Sequence, residues 1–238
     1  MDYSRLDLHM HKHGLAESRN KARELILGGY VTVDGQVAKK PSAGVPEGAV
    51  IDVLEEERYV GRGGYKLETA AEEFGLSFND MVCLDAGAGA GGFTDLLLQH
   101  GAQRVYAVDV GEGQLHDKLR VNPKVINMEK QDIRKLELPE KVDFLSADLS
   151  FISLKKVIPQ FRKHIKDTAA CMVLIKPQFE AGRIHLKNGI LNDEKLIGEI
   201  VKGIEDFITE QGYTLVGTVP SKLNQKGKNR EFICYFKV

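Results

Sequence analysis

Two amines and two carboxylates stand in four short segments far apart in the chain. Lys66 lies in Arg62-Gly63-Gly64-Tyr65-Lys66-Leu67, and Asp148 opens Asp148-Leu149-Ser150-Phe151-Ile152-Ser153-Leu154. Lys176 lies in Leu174-Ile175-Lys176-Pro177-Gln178-Phe179-Glu180, and Glu231 in Asn229-Arg230-Glu231-Phe232. Gathered at one pocket, such a set can accept a proton and hold the group that gives it up. Lys176 is the candidate general base. Burial behind the apolar run Val173-Leu174-Ile175 and a second amine at Lys66 favour its neutral form, whereas Asp148 and Glu231 oppose it while fixing geometry. The protonation state then belongs to the coupled cluster. Any one of the four alone reads more simply as half of a surface ion pair.

A glycine-rich stretch, Asp85-Ala86-Gly87-Ala88-Gly89-Ala90-Gly91-Gly92-Phe93-Thr94, follows the apolar run at 81–84 and opens a helical pattern. Glycine is needed where a Cβ would keep the backbone from closing on a ligand. The loop alone is a weak signal, shared by dehydrogenases and many other nucleotide enzymes. The next apolar run ends on Asp109, where a carboxylate can take both ribose hydroxyls of a nucleoside. Asp132, after the third run, is placed to accept a hydrogen bond from an adenine amino group. Both acids have a plainer alternative as turn residues. Acids at successive strand ends favour S-adenosylmethionine, with Asp85, Gly87, Gly89, Gly91, Gly92, Phe93, Thr94, Asp109, Asp132 and Asp148 as its candidate contacts.

The elements that must position these groups follow from periodicity. Apolar runs at 81–84, 105–108, 125–128, 144–147, 170–175, 215–219 and 232–236 alternate with helical patterns, which predicts an α/β domain with a parallel sheet, helices on its faces and an antiparallel strand at the end. Residues 5–53 read differently, as two short helices followed by small strands. Leu6, Leu8, Leu15, Ala22, Leu25 and Ile26 are the expected core, Ser18 is the expected N-cap, and Gly28-Gly29 ends the second helix. Asp34-Gly35 after Val31-Thr32-Val33 predicts a hairpin. The division expected is a small domain over 1–54, a connector over 55–64 and a larger domain over 65–238. Glu55-Glu56-Glu57 suits a solvated connector, and Gly61, Gly63 and Gly64 let the chain turn sharply to bring Lys66 into the larger domain's cleft.

Composition limits the partners. The chain has 238 residues, 42% hydrophobic and 28% charged, with a formal net charge of −1, so no global positive field argues for nucleic acid. Residues 1–53 carry seven Lys and Arg against seven Asp and Glu, and any RNA contact must come from placement. Arg19 and Arg23 lie one helical turn apart, and Lys39 and Lys40 come from the turn region. Between Lys222 and Arg230 stand four basic residues and no acid; the stretch either steers phosphates or is a solvated loop. No apolar run approaches the roughly 20 residues of a membrane span and no signal-peptide pattern opens the chain, so a cytoplasmic protein is expected. Cys83, Cys171 and Cys234 each sit in a strand-like run without metal-ligand spacing and are expected as reduced core residues. His9 and His13 share a helical face but lack further ligands, so no metal is expected.

From about residue 5 to its end, the sequence resembles the FtsJ-like ribose 2′-O-methyltransferases, most closely the TlyA family, also called haemolysin A. The resemblance rests on the four segments above, on the glycine-rich loop, and on Asp109-Val110-Gly111, Gly113-Gln114-Leu115 and Lys118-Leu119-Arg120. It departs at Gly89-Ala90, where relatives usually carry Ser-Thr, at Glu112 in place of an aromatic residue, and at Asp117 in place of Trp. Lys228 stands where the family has a glycine. The N-terminal stretch resembles the S4-type RNA-binding domain through Arg5-Leu6-Asp7, Gly14-Leu15-Ala16, Ser18-Arg19, Ala22, Ile26, Gly29, Val31, Val33-Asp34-Gly35 and Lys40-Pro41-Ser42.

The resemblance implies a Rossmann-like, S-adenosylmethionine-dependent methyltransferase with a small α+β RNA-binding domain. By the same resemblance its expected substrates are cytidine riboses of ribosomal RNA, free or within ribosomal subunits, with no obligate protein partner expected. It implies that Lys66, Asp148, Lys176 and Glu231 form the catalytic set. Asp148 would orient Lys176 beside the methyl donor, and Lys66 and Glu231 would hold the acceptor ribose. Arg5, Arg19, Arg23, Lys39, Lys40, Arg62, Lys226, Lys228 and Arg230 are the expected RNA contacts. The alternatives are a non-catalytic, ribosome-associated RNA-binding factor with a degenerate cofactor pocket, suggested by Gly89, Ala90 and Asp117, and a membrane-acting haemolysin, which lacks a visible spanning or strongly amphipathic element.

Overall fold

In the computed structural model, which describes residues 4–27, 29–46, 48–54, 58–221 and 228–238, the chain divides into two units, 1–58 and 59–238. The smaller unit begins with β1 (Ser4–Arg5) and helices α1 (Leu6–Lys12) and α2 (Arg19–Leu27). Strands β2 (Val31–Val33), β3 (Gln36–Val37), β4 (Gly44–Val45) and β5 (Ile51–Val53) follow. β1 pairs with β4, and the remaining three form a sheet in the order β3-β2-β5.

Local chemistry accounts for these elements. Ser18 Oγ accepts the backbone N–H of Lys21 at 3.1 Å, as an N-cap does. Asp34 and Gly35 have φ of 49° and 78°, the left-handed pair of a two-residue hairpin turn, and Val33 faces Gln36 across it. Leu6, Ala22, Leu25 and Ile26 are buried as expected, together with Met10. Leu8 is only partly buried and Leu15 is exposed. The first helix buries positions 6 and 10, one helical turn apart, which turns position 8 aside. Gly28 and the three glutamates at 55–57 lie outside the described residues.

The larger unit opens with α3 (Gly63–Glu73), then β6 (Val82–Ala86), α4 (Gly92–Gln99), β7 (Arg104–Asp109), α5 (Asp117–Arg120), β8 (Val125–Glu129) and β9 (Val142–Ala147). It closes with β10 (Ile165–Ile175), α6 (Pro177–Glu180), α7 (Glu194–Glu210), β11 (Thr214–Pro220) and β12 (Phe232–Lys237). Its seven strands run in the order β11-β12-β10-β9-β6-β7-β8. β10, β9, β6, β7 and β8 are parallel, and β12 enters antiparallel between β10 and β11.

Both faces of the central strands β6, β7, β9 and β12 are covered, which is why they read as apolar runs, whereas the edge strands β8 and β11 are partly exposed. Alternate residues serve opposite cores. Leu84, Leu145, Cys171 and Val173 pack with Ile204 and Ile208 of α7, whereas Cys83, Phe144, Met172 and Leu174 pack with α3 and α4. The three cysteines are free and buried, and burial pushes the thiols of Cys83, Cys171 and Cys234 up. Among the described residues no helix is long and apolar enough to cross a membrane.

The connector expected over 55–64 needs correction in its second half. Tyr59 is buried against α3, where a Cβ on Gly64 would come within 2.2 Å of its ring. The Val60 N–H donates to Asp95 Oδ2 at 2.9 Å. Gly63 and Gly64 already belong to α3. Residues 59–64 are therefore packed parts of the larger unit, fixed there by glycine contacts and by an aromatic ring.

Candidate active site

The four sheet-borne and helix-borne groups meet at the carboxyl ends of the central strands. Asp148 follows β9 directly, and its N–H donates to the Ala86 carbonyl at 3.0 Å. Lys176 follows β10, immediately before Pro177 at the first position of α6. Lys66 sits in the first turn of α3, and Glu231 directly precedes β12. Lys176 Nζ lies 2.5 Å from Asp148 Oδ1, and Lys66 Nζ lies 3.5 Å from Asp148 Oδ2. Lys66 Nζ also lies 2.7 Å from Glu231 Oε2. The two amines and two carboxylates thus form one chain, Lys176–Asp148–Lys66–Glu231. Lys176 is the most enclosed, with about a tenth of its side chain exposed.

Glycine makes the approach of these elements possible. A Cβ on Gly92 would come within 2.7 Å of the Gly64 nitrogen and 2.8 Å of the Gly61 oxygen, so α3 and α4 meet end to end only because neither has a side chain there. Gly87 has φ of 83°, and a Cβ on it would lie 2.5 Å from the Asp148 carbonyl oxygen. That contact brings the loop after β6 against the residue between the two lysines.

Beside this chain lies a cleft of about 800 Å³ lined by Gly87, Gly89, Asp109, Asp132, Asp148 and Lys176, among others. The volume lies within the range of small-molecule sites. Five of the expected cofactor contacts therefore face the cleft. Asp85, Gly91, Gly92, Phe93 and Thr94 do not line it, and each has another task. Asp85 is fully buried and accepts the Thr94 N–H and Oγ–H at 2.9 and 2.7 Å. Burial pushes its carboxyl up to about 7, against those hydrogen bonds, with the nearby charge of Asp148 raising it further. A Cβ on Gly91 would strike Leu119 at 2.2 Å, and Phe93 packs into the core shared by α3 and α4.

The residues present fit S-adenosylmethionine. A Cβ direction at Gly89 points into open space, and the cleft offers backbone and carboxylate acceptors at the ends of β6 and β7. Asp109 accepts the N–H groups of Gly89 and Gly111 at 2.8 and 2.7 Å, leaving one lone pair on each oxygen for a ribose. Asp132 is more engaged. The Arg134 guanidinium donates to both of its oxygens at 2.5–3.0 Å and holds its carboxyl down at about 2. Glu112 pairs with Lys130 and Asp117 is fully exposed; neither lines the cleft.

Residues not singled out from sequence complete the site. Ser150 Oγ accepts a hydrogen bond from Lys176 Nζ at 2.9 Å. Phe151 is 90% exposed at φ of 62°, with its ring centroid 4.9 Å from that of Phe179. Asn229 accepts the Leu191 N–H and donates to the Gly189 carbonyl, both at 2.9 Å, which fixes the chain two residues before Glu231. These residues stand inside the segments quoted from sequence, yet only their contacts reveal their roles.

The expected RNA contacts divide. Arg23, Lys39, Lys40, Arg62 and Lys228 are exposed. Arg5 and Arg19 both bind the buried Asp7 carboxylate, at 2.8 and 3.3 Å, with about half of each side chain still exposed. Hydrogen bonding from Arg5 holds the Asp7 carboxyl below the usual range against its burial. Arg230 pairs with Glu194. Lys226 lies outside the described residues. His9 stacks on His13 at 4.1 Å, and among the described residues no His, Cys, Asp or Glu group is placed to hold a metal.

Known proteins resemble this chain over nearly its full length. The model of the FtsJ-like methyltransferase family matches residues 59–238, and that of the S4 domain matches residues 4–51. Hemolysin A of Brachyspira hyodysenteriae is 38% identical over 98% of this chain and 99% of its own. The 16S/23S rRNA (cytidine-2′-O)-methyltransferase TlyA of Mycobacterium tuberculosis is also 38% identical, over 98% of this chain and 90% of its own. A solved structure from Streptococcus thermophilus with a provisional hemolysin name has a TM-score of 0.74 at 37% identity, covering 100% of this chain and 89% of that one. The chain belongs to the FtsJ-like methyltransferase family and, within it, to the TlyA, or haemolysin A, group.

Proposed function

We propose that this protein methylates the 2′-hydroxyl of a cytidine in ribosomal RNA, using S-adenosylmethionine, with Lys66, Asp148, Lys176 and Glu231 as the catalytic set. The observation that carries the reading is the Asp148 carboxylate between two lysines at the edge of the glycine-loop cleft. When bound, S-adenosylmethionine supplies an electrophilic methyl group on a sulfonium. Gly87 and Gly89 would cradle it, and Asp109 and Asp132 would take its ribose and adenine.

The protein's own groups do the rest. Lys176 Nζ takes the proton of the attacking 2′-hydroxyl. Asp148 holds that amine on one oxygen and Lys66 on the other, and Ser150 offers a second fixed acceptor. Lys66 and Glu231 would grip the acceptor ribose. General-base help is worth about 10²–10⁴ in rate, whereas orienting two reactants supplies roughly 7–11 kcal/mol, so docking of the RNA by the S4 unit matters as much as the base. The exposed Phe151 ring offers a face on which the acceptor base can stack.

The test supplies methyl-labelled S-adenosylmethionine with ribosomal subunits or naked rRNA, followed by mapping of 2′-O-methyl positions. Label on a cytidine ribose supports the reading, and absence of transfer to either substrate defeats it. A non-catalytic RNA-binding factor is the second reading, favoured by the Arg134 guanidinium on Asp132. Calorimetry separates the two: RNA binding without any cofactor heat would support the second.

A further inference from the structure

Glu180 has no part in the chemistry above, yet both of its carboxylate oxygens are committed. It is the last residue of α6, four positions after Lys176. Oε1 accepts the Leu154 N–H at 2.7 Å, and Oε2 accepts the Ser153 Oγ–H at 2.6 Å. Hydrogen bonds to a charged acceptor are stronger than neutral ones. We propose that Glu180 is a positioning residue for the methyl-transfer site, fastening the loop that carries Ser150 and Phe151 to the segment that carries Lys176.

The loop needs such a fastening. At its start, residue 148 is held to the sheet by the Asp148 N–H on the Ala86 carbonyl. Phe151 then adopts a left-handed φ of 62°, which a residue with a Cβ keeps only where its surroundings impose it. Glu180 is the second post, at Ser153 and Leu154. Between the posts, Lys176 Nζ donates to Ser150 Oγ at 2.9 Å and the Phe179 ring meets Phe151. The 176–180 segment and the 148–154 loop are therefore joined at both ends and in the middle. Beside the clamp lies a space of about 330 Å³ bordered by Lys155, Glu199, Ile200 and Gly203. Truncating Glu180 therefore opens onto that space.

The consequence for rate rests on the methyl-transfer reading, but the positioning itself is measurable without cofactor or RNA. The chain has no tryptophan, so Phe151→Trp creates a single tryptophan, a reporter in the middle of the span that can be excited apart from the seven tyrosines. In that background Glu180→Ala is expected to lower the steady-state anisotropy of the reporter, and Glu180→Gln, which keeps one acceptor and gains one donor, to restore it. In the otherwise native chain Glu180→Ala is expected to lower kcat by about 10²-fold, the scale of a misplaced reacting group, with recovery in Glu180→Gln. Should Glu180→Ala not fold, Ser153→Ala removes one of the two bonds and is expected to lower both anisotropy and kcat by less. Unchanged anisotropy in Glu180→Ala, or in Ser153→Ala where that is the folded variant, overturns the proposal. So does a Glu180→Gln variant as defective as Glu180→Ala. An inactive native protein with the anisotropy pattern intact would defeat the methyl-transfer reading instead.

Discussion

Lys66 Nζ and Glu231 Oε2 lie 2.7 Å apart, joining the first turn of α3 to the start of β12 across 165 residues of sequence. Their side chains are about four-fifths buried, so the pair is screened less than a surface one. Lys66→Ala and Glu231→Ala are each expected to lower methyl transfer. A double-mutant cycle on unfolding stability is expected to show a coupling of about 0.5–3 kcal/mol. Strict additivity would show the two side chains to be independent in solution.

Phe151 is expected to trade stability for function. Replacing it with Gly relieves about 1–2 kcal/mol at a left-handed φ against about 0.5–1.5 kcal/mol for the lost contact with the Phe179 ring, a small net stabilisation. Loss of the exposed ring should weaken RNA engagement by about 1–3 kcal/mol, the scale of base–aromatic stacking. Denaturation and RNA titration of Phe151→Gly check both signs. A variant both less stable and equally active contradicts this role.

Asp85 predicts a pH dependence. Its carboxyl is raised in the folded state to about 7, first by burial, so the folded protein binds a proton that the unfolded chain releases near 4. The stabilisation is complete below pH about 4 and is lost as pH rises through about 7, an effect on the order of a few kcal/mol. Asp85→Asn keeps an acceptor for Thr94 and cannot ionise. The stability difference between the native protein and the variant should fall by that amount over the window, since every other titrating group is common to both. Parallel curves for the two proteins would exclude Asp85 as the source.

Arg134 competes for an acid at the cofactor cleft. Because both Asp132 oxygens accept from its guanidinium, Arg134→Ala is expected to tighten S-adenosylmethionine binding in calorimetry. A large loss of affinity would instead make Arg134 a contact of the cofactor.

Much of this was legible in sequence, for identifiable reasons. Strands buried on both faces read as apolar runs, and Asp34-Gly35 has only one comfortable hairpin, so sheet and turn could be placed from residue type alone. The four-member set could be named because each residue sits in a distinctive segment. Its wiring could not, since a carboxylate shared between Lys176 and Lys66 is a fact of three-dimensional closure. The second half of the glycine loop was only partly legible: Gly91, Gly92 and Thr94 do not line the cleft, and their helix packing and their contact with the buried Asp85 come from the fold. Arg5 and Arg19 read as free basic groups until folding placed the Asp7 carboxylate between them. Glu180 and Asn229 stand inside the quoted segments, but their roles were not legible, because clamps made through backbone groups have no sequence spacing.

The most direct test of the central claim is single-turnover methyl transfer to ribosomal RNA by the native chain and by Lys176→Ala, with folding of the variant verified. The expected result is transfer by the native protein and a loss of about 10²–10⁴-fold in the variant. Undiminished transfer by Lys176→Ala would contradict the account.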